Sequence, residues 1–441
     1  MLGTLMQLGR TLSGRPIEGA TPEPESKAPK EESVEVAKKD AADEEQREGE
    51  EGDDVVVRLT LFPTSSHWAP PPDADATATA AGSRVAERQL VVPARGWVRV
   101  TRRRSTRRRL VLGLGRRLLS PIRSDRSAES DKAFDDRFGA FLDAPLAEQA
   151  AVRLVITGLA PADKDRKPFT GDENAPPLQP ALELFPKLDT NGLFSDVFKI
   201  PESLVKTWQS AASDAFLVDH LEIVAVKISG LQAGVVSQTT SSIIDPIPGI
   251  SIITDLDDTI KDSDVHRGAM PALNNALFTP SATAIDGMPN LFRLFYLNNP
   301  TAAFHYVSAS PFQLIDPILD FLSAQDFPPG SVTLRDVWSQ TSRRAYKDAI
   351  VKDLFTKYPF RKFILIGDAG EKDAEIYARV MREYPGRVAM ILIRDVSGGK
   401  DAEQIKVVQE ALKEVEDAAK VIFTDPGHME ETIGGLEERN D

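Results

Sequence analysis

The stretch GISIITDLDDTIKD, residues 249–262, decides how the chain is read. Its first six residues are mostly apolar or β-branched, the composition of a buried strand. Directly after them, four acids fall within the eight positions 255–262. Like charges repel, and carboxylates at the end of a buried strand are costly unless something neutralises them. A cation is the obvious neutraliser. Asp255 and Asp257 straddle Leu256 where strand gives way to loop, so a turn there lets one carboxylate and one carbonyl grip a common ion.

Working outward, the apolar runs TAAFHYVS, SVTLRDV, KFILIGD and RVAMILIRDV alternate with helix-like RRAYKDAIVKDLFTKY and KDAEIYARVMREY. Continuous apolar strands separated by helices predict an α/β domain with a parallel sheet covered on both faces, over residues 246–398. Ligands of such sheets bind outside the carboxyl ends of the strands. Three of these strands end at Asp255, Ser308 and Asp368; Glu371 and Asp373 follow the last, and Lys347 precedes it on a predicted helix. A hydroxyl, an ammonium and an all-oxygen acid cluster suit Mg²⁺ and a phosphoryl group. Each element alone has a blander reading: DLDDT or Ser308 as a helix cap, Lys347 as a solvated lysine, Gly367-Asp368 as a turn. Falling together in this order, they predict catalysis. Asp258, Lys261 and Asp262 read as loop polar residues or helix-start acids.

Upstream, VVVRLTLF (55–62), QLVVPARGWVRV (89–100), AVRLVITGLA (151–160), GLFSDVFKI (192–200) and LEIVAVKISG (221–230) read as short strands without long helices between them. They predict a mostly β, sandwich-like domain over 55–245. Nine arginines between Arg99 and Arg117, interleaved with leucines, mark an insertion at about 99–117. It reads either as a solvated loop or as a segment drawn to an anionic membrane, with its leucines at the interface. Residues 1–54 hold no aromatic residue, and Glu23 to Asp54 carry 14 acids against 5 bases, so they predict a disordered acidic tail. At the other end, Ile405, Val408, Leu412, Val415, Ala419 and Ile422 predict an amphipathic helix within a C-terminal helix and tail, 399–441.

Composition limits the alternatives. The 441 residues are 41% hydrophobic and contain no cysteine, which excludes thiol catalysis and cysteine-held metals and suits a reducing, cytoplasmic setting. Five scattered histidines argue against a histidine metal site, and a net charge of −14 against nucleic acid as a partner. The opening MLGTLMQLGRTLSGRP is short in apolar residues and broken by glycine; a tail is favoured over a secretory signal or transit peptide. Pro177 and Pro180 form a PxxP match, the pattern bound by Src-homology modules.

The set Asp255-x-Asp257-x-Thr259, Ser308, Lys347 and Gly367-Asp368-x4-Asp373 resembles the four motifs of the haloacid dehalogenase (HAD) superfamily. More narrowly, GISIITDLDDTIK, FHYVSASPFQL, FPPGSVTLRD and FILIGDAGEKDAEIYA are similar to the actin-patch family of Mg²⁺-dependent phosphatidate phosphatases, with weaker echoes in LTLFPT, RGWV and DTNGLFSD. The resemblance covers about residues 55–398. Ala369 departs from it, where a small polar residue is expected. The resemblance implies a HAD-like Rossmannoid domain that hydrolyses phosphatidate to diacylglycerol through an aspartyl-phosphate on Asp255. It further implies Asp257 as acid and base, Thr259 as a loop support, and Ser308 and Lys347 as phosphate binders. Asp255, Asp257, Asp368 and Asp373 would hold or support Mg²⁺. It places the protein peripherally at membranes, with cortical actin patches as one setting. A HAD-type phosphatase acting on a soluble or protein phosphomonoester, and a recruitment module for lipid or endocytic partners, are the alternatives.

Overall fold

In the computed structural model, the residues described are 55–70, 87–119, 127–146, 150–159, 182–211, 220–228, 237–299, 301–336 and 341–429. The expected acidic tail, the PxxP match and the last twelve residues lie outside them.

The first sheet contains β1 (Val55–Phe62), β2 (Thr64–Ala69), β3 (Gln89–Arg102), β4 (Ala144–Pro145), β5 (Val152–Leu159), β6 (Leu182–Leu184), β7 (Leu193–Pro201), β8 (His220–Ile228) and β9 (Ser237–Ile244). All pairings are antiparallel except β2 with β9. Strand β3 is the seam. It pairs with β1 and β2 along one edge and with β7 and β4 along the other. Leu59 and Leu61 of β1, Val92 of β3, Phe198 of β7, Leu154 of β5, Ile223 of β8 and Ile243 of β9 share one core.

Three helices accompany this sheet: α1 (Thr106–Leu119), α2 (Ala128–Leu142) and α3 (Glu202–Ala211). Their presence corrects the expectation of strands without long helices between them. The Arg-rich insertion is the end of β3 followed by α1, since arginine and leucine are good helix formers. Helix α2 has a clear start signal: Ser127 accepts from the Ser130 amide (3.1 Å), and Glu129 and Asp131 sit in the first turn. A Cβ at Gly115 would lie 3.0 Å from the Phe134 ring, so glycine there lets α1 and α2 meet closely.

The second sheet is wholly parallel, in the order β12 (Ser331–Arg335), β11 (Ala303–Pro311), β10 (Gly249–Thr254), β13 (Arg361–Asp368), β14 (Val388–Arg394), β15 (Lys420–Phe423). Its helices are α4 (Ala269–Phe278), α5 (Met288–Asn298), α6 (Ile315–Ala324), α7 (Arg343–Lys357), α8 (Asp373–Glu383) and α9 (Ala402–Ala411). Alternation along the strands sorts the two faces. Ile252, Ile364 and Ile366 join Leu291 and Phe295 of α5 and Ile318 of α6. Ile253, Phe363 and Leu365 join Val351 of α7, Ile376 of α8 and Val408 of α9. The chain builds outward from β10 to β12, then returns to place β13 on the other side of β10. The carboxyl ends of β10 and β13 therefore flank the topological switch point, where open α/β sheets bind ligands.

The C-terminal helix is shorter than its apolar spacing predicts. It ends at Ala411; Leu412 and Val415 still enter the core, but Ala419 lies in a short turn and Ile422 in β15, paired with Ile393. Steps of three and four residues fit a helix–turn–strand path equally well. Lys420 stabilises that path by donating to the carbonyls of Leu412 (3.1 Å) and Val415 (2.7 Å).

The two sheets meet at a buried contact. Trp97 packs edge-on against Phe312 at 5.2 Å, and Tyr358 donates to Ser65 Oγ at 2.7 Å. Arg99, only 3% exposed, stacks over Trp97, lies 3.4 Å from Asp143 and pairs with Asp316 at the start of α6. Arg99→Leu leaves Asp143 paired with Arg108 and Asp316 partly in water, so the loss is that of hydrogen bonds to a charged group rather than an orphaned charge. It should lower unfolding free energy by about 2 kcal/mol, read as a reduced urea midpoint. An unchanged midpoint would show that the contact contributes nothing to the fold.

Candidate active site

The acidic loop is pinned by its apolar residues. Leu256 and Ile260 are fully buried, and the Leu256 carbonyl accepts from the amides of Ile260 (3.1 Å) and Lys261 (2.9 Å). Asp258 takes the left-handed conformation at φ 56°, which aspartate tolerates better than most residues. Its carboxylate accepts from the Ser263 amide (3.1 Å), the Ser263 hydroxyl (3.1 Å) and the His266 amide (2.6 Å). Asp258 thus shapes the turn, in line with its reading as a loop residue.

That turn aims its neighbours differently. Asp255 continues the β10 ladder by donating its amide to the Ile366 carbonyl (2.9 Å), and its side chain meets Lys347 of α7. Lys347 Nζ lies 3.0 Å from Asp255, 2.8 Å from Asp373 and 2.7 Å from Glu371. Asp255, Asp368, Asp373 and Lys347 are at most 3% exposed. Asp368, the last residue of β13, accepts from the amides of Gly370 (2.6 Å) and Glu371 (3.1 Å) through Oδ1. Its Oδ2 is buried without a hydrogen-bond partner among the described residues. A Cβ at Gly367 would overlap the Asp373 carboxylate, so glycine lets α8 approach the strand end.

The electrostatics follow from that burial. Burial, with Asp373, Glu371 and Asp368 nearby, pushes Asp255 well above the usual carboxylate range despite Lys347. Burial and the Asp373 charge do the same to Asp368, and burial with Glu371 raises Asp373. Burial alone would push the Lys347 ammonium down, but Asp255, Asp373 and Glu371 outweigh it and hold it well above the usual range. One lysine faces four carboxylates. The oxygens of Asp255, Asp368 and Asp373 lie within 4.8 Å of one another, and this all-oxygen set with an unpartnered Asp368 oxygen fits a hard divalent cation.

Asp257 points away from this cluster. Its Oδ2 accepts from the hydroxyls of Ser308 (3.0 Å) and Ser310 (2.6 Å), and its Oδ1 lies 3.2 Å from Lys261 Nζ. Burial would raise its pKa, but Lys261 and the two hydroxyls outweigh burial and leave it below the usual range. Thr259 Oγ1 approaches Asp255 Oδ2 at 3.5 Å. All seven residues singled out in the sequence therefore converge, in two adjoining groups.

Two contributors escaped the sequence reading. Lys261 counted as a loop residue, yet it pairs with Asp257 across the tight turn. Ser310 had a legible signal: it lies two residues from Ser308, on the same side of a strand. Arg137, from α2, lines the same narrow cleft as Asp257, Lys261 and Ser310.

Residues 250–395 match the family model described as the catalytic domain of phosphatidate phosphatase APP1. The match spans about a third of the chain. Over 222 residues the chain is 29% identical to phosphatidate phosphatase APP1 of Saccharomyces cerevisiae, covering 48% of this chain and 37% of that protein. Over 155 residues it is 35% identical to an uncharacterized protein of Schizosaccharomyces pombe, covering 34% of this chain and 25% of that one. The chain thus spans well under half the length of these relatives. A sialyltransferase from Photobacterium damsela aligns over 68% of this chain and 55% of its own, at 7% identity and a TM-score of 0.21.

The crowded acids at the strand ends carry a stability prediction. Asp368→Asn keeps the oxygen that accepts from Gly370 and Glu371 but removes one of the crowded charges. In chelator-treated protein its melting temperature should rise by about 3 °C, because relieving repulsion in a strained site stabilises the fold. Stabilisation by added Mg²⁺ should disappear in the same variant. A lower melting temperature without metal would mean that the repulsion is not what limits stability there.

Proposed function

We propose that the chain is a Mg²⁺-dependent phosphatidate phosphatase whose catalytic unit, about 246–398 completed by β15, has a HAD-like fold. The observation that carries this reading is the buried Asp255–Asp368–Asp373–Lys347 cluster at the switch point, with Asp257 two residues on, inside a segment of the APP1 catalytic-domain family. Asp255, Asp368 and the Asp257 carbonyl would hold the cation, with Asp373 positioning Lys347. The ion, when bound, withdraws charge from phosphoryl oxygens and keeps the nearby carboxylates ionised.

The chain's own residues supply the remaining steps. An Asp255 oxygen attacks phosphorus as the bond to the diacylglycerol oxygen breaks, and Asp257 gives that oxygen its proton. Asp257 then takes a proton from water, whose oxygen attacks the aspartyl-phosphate and releases phosphate and free Asp255. In the structure Asp257 is stabilised as a carboxylate, the form needed for the second half. An incoming phosphate dianion opposes that charge and raises its proton affinity, which suits the first half. Ser308 and Lys347, now turned to Asp257 and to Asp255 with Asp373, are the phosphate-oxygen donors.

Among the described residues, no helix is long and apolar enough to cross a membrane. The proposed setting is cytoplasmic and peripheral, with cortical actin patches and Src-homology partners resting on the resemblance and the PxxP match alone.

The decisive experiment measures phosphate release from phosphatidate in mixed micelles against release from soluble phosphomonoesters, with Mg²⁺ or chelator. Phosphatidate should be preferred and chelator should stop turnover. Asp255→Asn should cut that turnover roughly a thousandfold or more while leaving the circular dichroism spectrum unchanged. Retained activity would remove Asp255 as nucleophile, and preference for soluble esters would remove the lipid reading.

Asp257→Ala separates proton donation from loop support. It should slow an alkyl phosphate at least about tenfold more than a nitrophenyl phosphate, whose leaving oxygen needs little protonation. Equal losses on both substrates would assign Asp257 to the loop or metal instead.

A further inference from the structure

Helix α1 carries two separate apolar faces. Leu112, Gly115 and Leu119 are buried against Phe134 and Phe138 of α2. Leu110, Leu114 and Leu118 recur every fourth residue on the outside, 59%, 45% and 48% exposed. Three aligned leucines left outward are an apolar stripe with no partner among the described residues, and such stripes mark contact surfaces.

The arginines divide in the same way. Arg99 and Arg108 turn inward, Arg108 to Asp143 at 2.5 Å and to the Gly139 carbonyl at 3.1 Å. Arg116 lies 3.4 Å from Asp135. Arg103, Arg104, Arg109 and Arg117 are exposed around the leucine stripe. The chain as a whole is at −14, yet these four charges gather on α1 and the turn that leads into it. A helix with leucines in one stripe and arginines around it lies in the plane of a bilayer surface. The leucines enter the acyl boundary while long cationic side chains reach the headgroups.

The location of α1 gives that surface a purpose. Phe134 of α2 also stacks on Phe278 of α4 at 4.6 Å, and Arg137 donates to the carbonyls of Ala276 (2.9 Å) and Thr279 (2.7 Å) while lining the cleft with Asp257. A membrane-facing α1 is thereby held, through α2, in fixed relation to the catalytic mouth. We infer that the outward face of α1 docks the protein on an anionic lipid surface, with Leu110, Leu114 and Leu118 as the embedded stripe. The inference draws its purpose from the lipid-phosphatase reading, but its test does not.

The test uses the full chain and vesicles of phosphatidylcholine alone or mixed with phosphatidylserine, neither of which carries a phosphomonoester. The wild type should sediment with the mixed vesicles at low salt and be released by high salt. Exchanging Arg103, Arg104, Arg109 and Arg117 for glutamine should weaken binding by roughly fivefold per charge. Exchanging Leu110, Leu114 and Leu118 for serine should weaken it at least about tenfold. Binding equal to wild type in either variant overturns the docking face, whatever the enzyme hydrolyses.

Because the chain has no cysteine, Leu114→Cys accepts a single environment-sensitive dye. Its emission should shift to the blue with phosphatidylserine-containing vesicles only, while the same dye at Val407→Cys, on exposed α9, should not respond. A Leu114→Cys label already blue-shifted without vesicles, and released by salt, would assign the face to another part of the chain, such as the acidic segment 23–54. That outcome also overturns the inference. Docking retained with no phosphatidate turnover would leave this inference standing while removing the phosphatase reading.

Discussion

Four carboxylates and one ammonium confined where a parallel sheet changes direction are the constraint on which the rest of the molecule depends. Charges removed from water repel or attract with several times their aqueous strength, so such a cluster survives only inside a scaffold that cannot relax. The scaffold comes from opposite directions. Strands β10 and β13 deliver Asp255 and Asp368 in adjacent register, α7 brings Lys347, and the start of α8 brings Asp373 with Glu371 just before it. Isoleucines on both faces of these strands anchor them in two separate cores. The apolar layers therefore do more than stabilise the domain; they hold like charges closer together than those charges would choose.

Within that constraint, two aspartates separated by one residue acquire opposite character. Burial, helped by the neighbouring carboxylates, pushes Asp255 up despite Lys347, whereas at Asp257 burial is outweighed by Lys261, Ser310 and Ser308, which pull it down. A turn produces the split: buried Leu256 and Ile260 hold the loop in place, and the left-handed Asp258 bends the chain so that successive acids look into different surroundings. Carboxylates whose environments separate their proton affinities can take different roles in one reaction. Here the separation leaves Asp257 the readier of the two to ionise, whereas Asp255 needs a cation beside it to give up its proton.

Much of this was legible in the residues, for identifiable reasons. The parallel strands announced themselves as continuous apolar runs, because a strand buried on both faces has no polar side to alternate with. The acids at their ends stood out because charge is rare beside such runs. Long-range pairing was less legible. Lys261 looked like loop chemistry, since only the folded turn brings it to Asp257. Helix α2 does carry a helical signal in Ser127, Glu129 and the spacing of Phe134, Phe138 and Phe141, but it is a single short period set between strand-like runs. The C-terminal spacing misled for the opposite reason. Ile405 to Leu412 is helical in period, but Val421, Ile422 and Phe423 have the β-branched and aromatic composition that completes a sheet edge.

The position of the first sheet gives its helices a mechanical part in the chemistry. Arg99 ties β3 to α6, and Trp97 packs on Phe312 just before that helix, near the strand end that carries Ser308 and Ser310. On the other flank, α2 caps the carbonyls at the end of α4 through Arg137, which also lines the cleft at Asp257. The Asp257 side of the site is thus walled in part by one residue from more than a hundred positions upstream, Arg137, whereas the Asp255–Lys347 side comes entirely from the parallel sheet and its helices. A change in α2 therefore reaches the Asp257 cleft through Arg137, whereas the switch-point cluster is insulated from it by the parallel sheet's own helices.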